Sequence, residues 1–187
     1  NIGFNQLEIF QRKSKKVTKS DLYPIDKIKD LNKKILNTVK RDLKKITQKR
    51  KNILGLEFDN PRIMGVLNVT PDSFSDGGLF FNQLKAYEQA SLMINDGAKI
   101  IDIGGESTRP GSKIVSEKEE WNRIEKIVAK IKKDFPNVPL SLDTRKSYVM
   151  KRGIEYGVNF INDVSGLNFD KNSFDVINSK KIPFILH

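Results

Sequence analysis

The pattern of apolar and polar positions separates residues 1–53 from a longer second part in which short apolar runs recur. Near the start of the chain, Leu7 and Ile9 alternate with polar residues, and a period of two predicts a β-strand within residues 1–10. Residues 11–20 are polar and basic. Residues 54–61 mix apolar and turn-forming residues, which predicts a short hairpin-like segment.

Between Ile25 and about Lys51 the apolar residues recur every three or four positions, which is the pattern of one amphipathic helix. The apolar stripe of this helix would consist of Ile28, Leu31, Ile35, Val39, Leu43 and Ile46. Pro24 suits the first turn and Asp21 is a candidate cap. At about 1.5 Å per residue the helix would be roughly 40 Å long. We expect its stripe to pack on the rest of the protein or on a second subunit, with the lysines outward. The competing hypothesis is a basic arm that binds RNA or an acidic partner.

After Pro61 the predicted elements alternate between strand and helix without exception. Five strands are predicted, within residues 62–68, 99–103, 138–143, 159–162 and 182–187. Four helices separate them, at residues 82–95, 116–135, 146–156 and 173–179. The second of these helices opens with a capping box, in which Ser116 is followed by Glu119 three residues later. Such alternation predicts an α/β fold with a parallel sheet.

Each predicted strand ends in a polar or charged side chain, and this regularity narrows the choice between the possible α/β folds. The strand-end residues are Asn68, Asp102 with Glu106, Asp143, Asn162 with Asp163, and His187. In a (β/α)₈ TIM barrel the carboxyl ends of all strands form the active face, whereas a doubly wound sheet gathers its ligand groups at one switch point. The pattern therefore favours a (β/α)₈ barrel over residues 54–187, of which about the first five strands are present. Residues 1–53 are expected to form a basic helical extension.

The net charge of +11 is distributed unevenly along the chain. Residues 1–62 contain 17 Lys and Arg against 7 Asp and Glu, whereas residues 63–187 contain 17 against 16. An excess of basic charge can indicate nucleic-acid binding. Here it belongs to the first segment alone, and a solvated basic helix surface is favoured over a polyanion-binding role. Nucleic acid is not an expected partner.

The composition also excludes several kinds of site. The chain has no cysteine, so it forms no disulfide, thiol nucleophile or zinc–thiolate centre. His187 is the only histidine, which excludes a multi-histidine metal site. No segment approaches the roughly 20 apolar residues that span a bilayer, and no signal-peptide apolar block stands at the start. We expect a soluble, cytoplasmic protein without a membrane partner.

Two polar segments follow the first two strands of the predicted barrel. Residues 68–78 combine an amide, two carboxylates, hydroxyls, an aromatic ring and two glycines, and a double glycine suits a movable loop. Residues 102–111 offer glycine-freed backbone amides, two hydroxyls and an arginine, which suits phosphate or diphosphate binding. Their spacing is not that of a P-loop and the P-loop lysine is missing, so nucleotide triphosphate hydrolysis is not supported.

Asp143 and Asn162 end the third and fourth strands of the predicted barrel. A buried carboxylate accepts two parallel N–H bonds, and a neighbouring amide both donates and accepts. Together they suit a flat heterocycle with an amino-amide edge. Taken singly, each residue is equally well explained as a local turn or cap former, but four such sites at successive strand ends argue against coincidence.

These segments resemble the signature motifs of dihydropteroate synthases. The motifs are residues 66–78 (VLNVTPDSFSDGG) and 102–111 (DIGGESTRPG), followed in order by 142–144 (LDT) and 161–166 (INDVSG). The resemblance extends over residues 56–187, and residues 1–53 do not resemble the usual start of the family. It implies a transferase of folate synthesis that condenses 6-hydroxymethyl-7,8-dihydropterin diphosphate with p-aminobenzoate and releases diphosphate.

The resemblance also implies roles for individual residues. Asp143 and Asn162 would bind the pterin edge, with Asp102 near the pterin floor. Thr108 and Arg109 would face the diphosphate, and Asn68 would contact both the diphosphate and a Mg²⁺ ion. The residues of the mobile loop that closes over the p-aminobenzoate site would be Asp72, Phe74 and Asp76. Asp143, Arg109 and Asp76 are the expected catalytic residues. A homodimer and sulfonamide binding are expected as well.

The departures from the family pattern leave two alternatives. The family's later pterin contacts fall beyond residue 187, so we expect this chain to be an incomplete barrel that binds substrate poorly by itself. A pterin-dependent methyltransferase would share the barrel and the Asp143–Asn162 pair, although it would lack the long motif at 68–78. A non-catalytic paralogue that uses its basic helix as an interaction module is the other alternative.

Overall fold

The computed structural model describes residues 3–12, 14, 18–49, 52–70, 78–107 and 111–187. The chain divides into two compact units, Asn1–Lys51 and Asn52–His187. This division lies two residues before the boundary that the sequence predicts.

The first unit is a β-hairpin followed by helices. Strands β1 (Gln6–Arg12) and β2 (Thr18–Pro24) are antiparallel, with a 3₁₀ helix at Ile25–Asp30 and helix α1 at Lys33–Thr47. Burial alternates along β1, which confirms the strand predicted from its apolar alternation. Strand β2 was not predicted, because its sequence lacks an alternating pattern and its place follows from backbone pairing with β1.

The single long helix predicted from Ile25 to Lys51 is wrong, and the extension is not purely helical. Leu31 is extended, with ψ of 146°, and it separates the 3₁₀ helix from α1. The Asn32 side chain then caps α1 by accepting a 3.0 Å hydrogen bond from the backbone N–H of Ile35. Pro24 ends β2, and Asp21 lies within β2, where it pairs with Lys19 at 2.9 Å. A helix of 15 residues is about 22 Å long, well short of the expected length.

The apolar stripe of α1 lies on the side of the helix that faces the hairpin. A groove of about 720 Å³ runs between β1 and α1, and its lining includes Leu7, Ile9, Ile35, Val39 and Leu43. The lysines of α1 are exposed, as expected for a solvated basic surface. The packing of this unit against a partner or against the second unit stays a prediction.

The second unit contains a five-stranded parallel sheet with one helix between successive strands. Its strands are β3 (Met64–Asn68), β4 (Ile100–Gly104), β5 (Leu140–Asp143), β6 (Phe160–Asp163) and β7 (Phe184–Leu186). Its helices are α2 (Gly78–Asn95), α3 (Glu117–Asp134), α4 (Ser147–Glu155) and α5 (Ser173–Lys180). Every strand pairs with its neighbour in the chain, in the order β3-β4-β5-β6-β7. This order is that of a barrel sheet and confirms the predicted partial (β/α)₈ fold.

The segment before β3 is less regular than predicted. Residues 54–61 were expected to form a hairpin-like piece, but among residues 52–63 the structure has a single antiparallel bridge, between Ile53 and Leu56. Leu54 and Gly55 both take positive φ angles at the turn inside this bridge. Two residues within the bridge are too few for a paired ladder, so a tight turn forms instead.

The core of the second unit lies between the sheet and its helices. The largest buried side chains on the helix-facing side of the sheet are Leu67, Ile101, Ile103, Leu140, Leu142 and Ile161. They form one cluster with the apolar face of α3, which includes Ile124, Ile127, Val128 and Ile131. Ser116 caps α3 by accepting a bond from Glu119 N–H, as the capping box predicts, while the Glu119 carboxylate pairs with Arg123. Because one face of each strand packs on helices, the other face presents the alternate residues at the inner side of the sheet.

None of the helices in the described ranges combines the length and the apolar content that crossing a membrane requires.

Candidate functional site

The inner face of the sheet gathers four strand-end positions at one level, and three of them carry polar side chains. The register pairs Asn68 with Gly104, Gly104 with Asp143, and Asp143 with Asn162. Residues that are paired in a parallel sheet project to the same face, opposite to their buried neighbours in the core. The structure therefore brings together Asn68, Asp143 and Asn162, as the strand-end pattern predicts.

Gly104 leaves an opening between two of these side chains. A Cβ atom at this position would lie 3.5 Å from Asn68 Oδ1 and 3.5 Å from Asp143 Oδ2. The amide and the carboxylate thus flank bare backbone at the carboxyl end of β4. A planar ligand or a hydrated ion can approach the backbone closely at such a position.

A chain of hydrogen bonds orients the Asn162 amide. Its Nδ2 donates to Asp102 Oδ2 at 2.9 Å, and its Oδ1 lies 3.0 Å from His187 Nε2. An ionised carboxylate only accepts, so the nitrogen of the amide must face Asp102 and its oxygen must face His187. His187 therefore carries a proton on Nε2. The other Asp102 oxygen, Oδ1, is buried and has no hydrogen-bond partner among the described residues.

His187 was predicted to end the fifth strand at the active face, but no binding or catalytic role was predicted for it. The signal that could have identified it is its position after the fifth strand, two residues from Ile185, which pairs with Asn162. Side chains two residues apart project to the same face of a strand. This alternation places His187 on the same face as Asn162, which it contacts.

Asp143 has a strongly perturbed pKa. Burial raises the pKa of Asp143 to about 7, and the nearby carboxylates of Asp102, Glu120, Asp163 and Glu106 add to the increase. Perturbed acids of this kind cluster at functional sites. A carboxylate whose pKa lies close to neutral pH can accept hydrogen bonds from a ligand, and these bonds compensate its negative charge.

The remaining predicted site residues lie outside the described residues. These are Asp72, Phe74, Asp76, Thr108 and Arg109. Their assigned roles stay predictions from the sequence motifs.

Gly105, which follows β4, lies close to the backbone of α3. A Cβ on Gly105 would lie 2.7 Å from the backbone oxygen of Glu120, a contact that the backbone can relieve only by moving. We expect Gly105→Ala to lower the free energy of unfolding by about 1–3 kcal/mol, as overpacking does elsewhere. Urea denaturation measures this change. Gly104→Ala is the matched control, because its Cβ would make only ordinary 3.5 Å contacts. Equal losses in the two variants would contradict this account of Gly105.

The fold and the site together define an α/β protein of the (β/α)₈ class, with its ligand-binding groups at the carboxyl edge of a parallel sheet. The sequence model of the family described as pterin binding enzyme matches residues 64–187. The chain belongs to this family.

Three known proteins illustrate the similarity. Dihydropteroate synthase of Clostridium beijerinckii is 50% identical over 124 residues, which cover 66% of this chain and 46% of that protein. The crystal structure of dihydropteroate synthase from Clostridium difficile in the presence of pteroic acid is 44% identical, with a TM-score of 0.66, and the match covers 68% of this chain and 48% of that chain. The structure of Xanthomonas albilineans dihydropteroate synthase with 4-aminobenzoic acid is 38% identical, with a TM-score of 0.68. The match covers 74% of this chain and 52% of that chain. The chain spans about half the length of the curated relatives it matches.

Proposed function

We propose that the protein to which this chain belongs is a dihydropteroate synthase. It joins 6-hydroxymethyl-7,8-dihydropterin diphosphate to p-aminobenzoate and releases diphosphate. The observation that carries the proposal is the inner-face layer of Asn68, Asp143 and Asn162 in a member of the pterin binding enzyme family. The relatives crystallised with pteroic acid and with 4-aminobenzoic acid support the choice of product and substrate.

The polar inner-face side chains suit the amino-amide edge of a pterin. In this proposal Asp143 accepts two N–H bonds from the ring edge, because a carboxylate can accept two such bonds side by side. Asn162, oriented by Asp102 and His187, still has one N–H and one lone pair to offer the ring. The unpartnered Oδ1 of Asp102 is a further acceptor near the ring floor.

The leaving diphosphate would be bound by Asn68, Thr108 and Arg109. Arginine suits a diphosphate because its planar donors match phosphate oxygens bidentately. We propose a Mg²⁺ ion at Asn68, whose amide oxygen is the kind of hard ligand that Mg²⁺ accepts together with substrate phosphates. Among the described residues, no group of three or more His, Asp and Glu side chains could hold a metal by itself. In this proposal the ion would be held by Asn68 together with the oxygens of the substrate diphosphate. When bound, the ion would stabilise the negative charge of the leaving group.

The proposed reaction breaks the C–O bond to diphosphate and forms a C–N bond to the arylamine, whose nitrogen loses a proton. Positive charge spreads into the pterin ring as the C–O bond breaks. An ionised Asp143 bonded to the ring edge stabilises that charge more than it stabilises the neutral ground state, which lowers the barrier. Asp72, Phe74 and Asp76 would close over the arylamine. The arylamine is already nucleophilic, so the step requires no strong protein base.

Product formation by the full-length protein tests the proposal. The purified protein is incubated with 6-hydroxymethyl-7,8-dihydropterin diphosphate, p-aminobenzoate and Mg²⁺, and dihydropteroate is followed by mass spectrometry. We expect turnover that Asp143→Asn reduces strongly. Absence of product under conditions in which the Clostridium beijerinckii enzyme is active would contradict the proposal.

The raised pKa of Asp143 predicts a pH dependence of pterin binding. We expect the affinity for 6-hydroxymethylpterin to rise about tenfold from pH 5 to pH 6 and to level off above about pH 7, since only the ionised acid accepts both bonds. The raised pKa also means that the folded protein disfavours the ionised form of Asp143. We therefore expect the contribution of Asp143 to the free energy of unfolding to decrease as the pH rises from about 4 to about 7. Calorimetry between pH 5 and pH 8 measures the binding. A dependence that persists in Asp143→Asn would assign it to another group.

The homodimer, the cytoplasmic location and sulfonamide binding stay predictions from the sequence and its resemblance.

A further inference from the structure

A buried side-chain contact joins helix α3 to the chain directly after β5. Thr144 follows Asp143, the last residue of β5, and its hydroxyl oxygen Oγ1 donates a 2.5 Å hydrogen bond to Glu120 Oε1 of α3. The Glu120 side chain is fully buried, and Thr144 is 4% exposed. Because successive residues of a strand project to opposite faces, the Thr144 side chain points to the helices while that of Asp143 points to the inner face. The contact therefore lies directly behind Asp143.

The Glu120 carboxylate that accepts this bond is held by a second partner. Its other oxygen, Oε2, accepts a 2.6 Å bond from Lys146 Nζ, and Lys146 also contacts Glu106 Oε1 at 2.9 Å. The backbone N–H of Lys146 donates to Thr144 Oγ1 at 3.3 Å. A buried carboxylate has no water to replace such bonds, so breaking either one is costly. Thr144 is therefore bound to a side chain whose own position is fixed.

The ends of three neighbouring strands are joined at this level. The backbone N–H of Thr144 donates to the backbone oxygen of Asn162 at 3.1 Å, which links the end of β5 to β6. Helix α3 reaches the end of β4 as well, because Arg123 donates to the backbone oxygen of Gly105 at 2.8 Å. Thr144 and α3 thus connect the ends of β4, β5 and β6 behind the layer that contains Asp143 and Asn162.

We propose that Thr144 is a positioning residue, which through its bond to Glu120 holds Asp143 in a fixed position relative to Asn162 for binding of the pterin edge. This inference rests on the proposed function, in which both of those side chains bind the edge. The regular strand ends at Asp143, so the Thr144 hydroxyl restrains the chain where it leaves the sheet. A site whose groups are already in place loses less conformational entropy when it binds a ligand.

Variants of Thr144 in the full-length protein test this role. Thr144→Val keeps the shape of the side chain without the hydroxyl, and Thr144→Ala also avoids placing a methyl group against the Glu120 carboxylate. Thr144→Ser keeps the hydroxyl. Ile131→Val is the control for stability alone, because Ile131 is a buried core residue about three turns further along α3 than Glu120. Calorimetry at pH 8, where Asp143 is ionised, gives the dissociation constant of 6-hydroxymethylpterin for each variant.

We expect the dissociation constant to rise about tenfold in Thr144→Val and in Thr144→Ala, and to change less than about twofold in Thr144→Ser. Ile131→Val should unfold at a lower temperature than the wild type and bind the pterin unchanged, because a less stable protein that is still folded keeps its site. Binding that is unaffected by loss of the hydroxyl, or weakened equally in Thr144→Ser or in Ile131→Val, would overturn the inference. If the wild-type protein does not bind 6-hydroxymethylpterin, the proposed function itself has failed, whereas wild-type binding that is insensitive to Thr144 contradicts the inference alone.

Discussion

Replacing Lys146 by methionine is expected to lower the free energy of unfolding by about 3–5 kcal/mol, the largest change foreseen for this chain. The substitution removes the ammonium group that contacts Glu106 at 2.9 Å and Glu120 at 2.6 Å. The Glu106 side chain is 3% exposed and the Glu120 side chain is fully buried. A buried carboxylate without its partner cannot recover its hydration, so the cost exceeds that of a surface ion pair.

Chemical denaturation at several pH values measures this loss and identifies its cause. The loss should be largest near pH 8 and smaller near pH 5, where the stranded carboxylates can take up protons. The double variant Lys146→Met/Glu120→Gln should recover part of the stability, because Glu106 keeps its bonds to Arg145 and Val115. Lys132→Met is the control, since the Lys132 ammonium group, among the residues that the structure describes, contacts an uncharged partner, the amide oxygen of Asn159, at 3.3 Å. A loss in Lys146→Met no greater than in Lys132→Met would contradict the assignment.

Asp143→Asn is expected to weaken binding of 6-hydroxymethylpterin diphosphate by about 2–4 kcal/mol, or roughly 30- to 1,000-fold. The variant keeps the size of the side chain but replaces one of two acceptor oxygens by a donor, which then faces the N–H groups of the ring edge. Calorimetry at pH 8, where Asp143 is ionised, gives the clearest contrast.

The same variant should gain stability while it loses affinity. Since burial and neighbouring carboxylates disfavour the charged form of Asp143, we expect Asp143→Asn to be more stable than the wild type at pH 8 by about 1–3 kcal/mol. Asp163→Asn is the matched control, because the Asp163 carboxylate accepts the N–H groups of Ser165 and Leu167 within its own turn. That variant should lose stability and keep its affinity. Unchanged affinity in Asp143→Asn would remove Asp143 from the binding site.

The sequence determined the second unit to a large extent. Apolar runs that alternate with helical stripes identified all five strands of the sheet, and polar residues at their ends placed Asn68, Asp143 and Asn162 together. This prediction succeeded for a physical reason. Side chains of a strand alternate between two faces, and the ends of sequential parallel strands meet at one edge, so position along the chain implies position in space.

The first unit shows where local pattern is insufficient. The apolar spacing from Ile25 onward is continuous, yet Asn32 starts a new helix because its side chain competes for a backbone N–H. Strand β2 is mostly polar and is defined by its backbone bonds to β1. A pattern of side chains carries no signal for pairing that only the backbone makes.

Tertiary structure alone decided the contacts among charged and polar groups. Glu120 and Lys146 resemble ordinary surface residues in the sequence, and Glu106 was predicted only as a strand-end residue, but three separate segments bring them together inside the protein. The orientation of the Asn162 amide depends on Asp102, sixty residues earlier, and the pKa of Asp143 depends on four carboxylates from other segments. Burial and the field of distant charges are properties of the folded arrangement, so no local pattern in the chain encodes them.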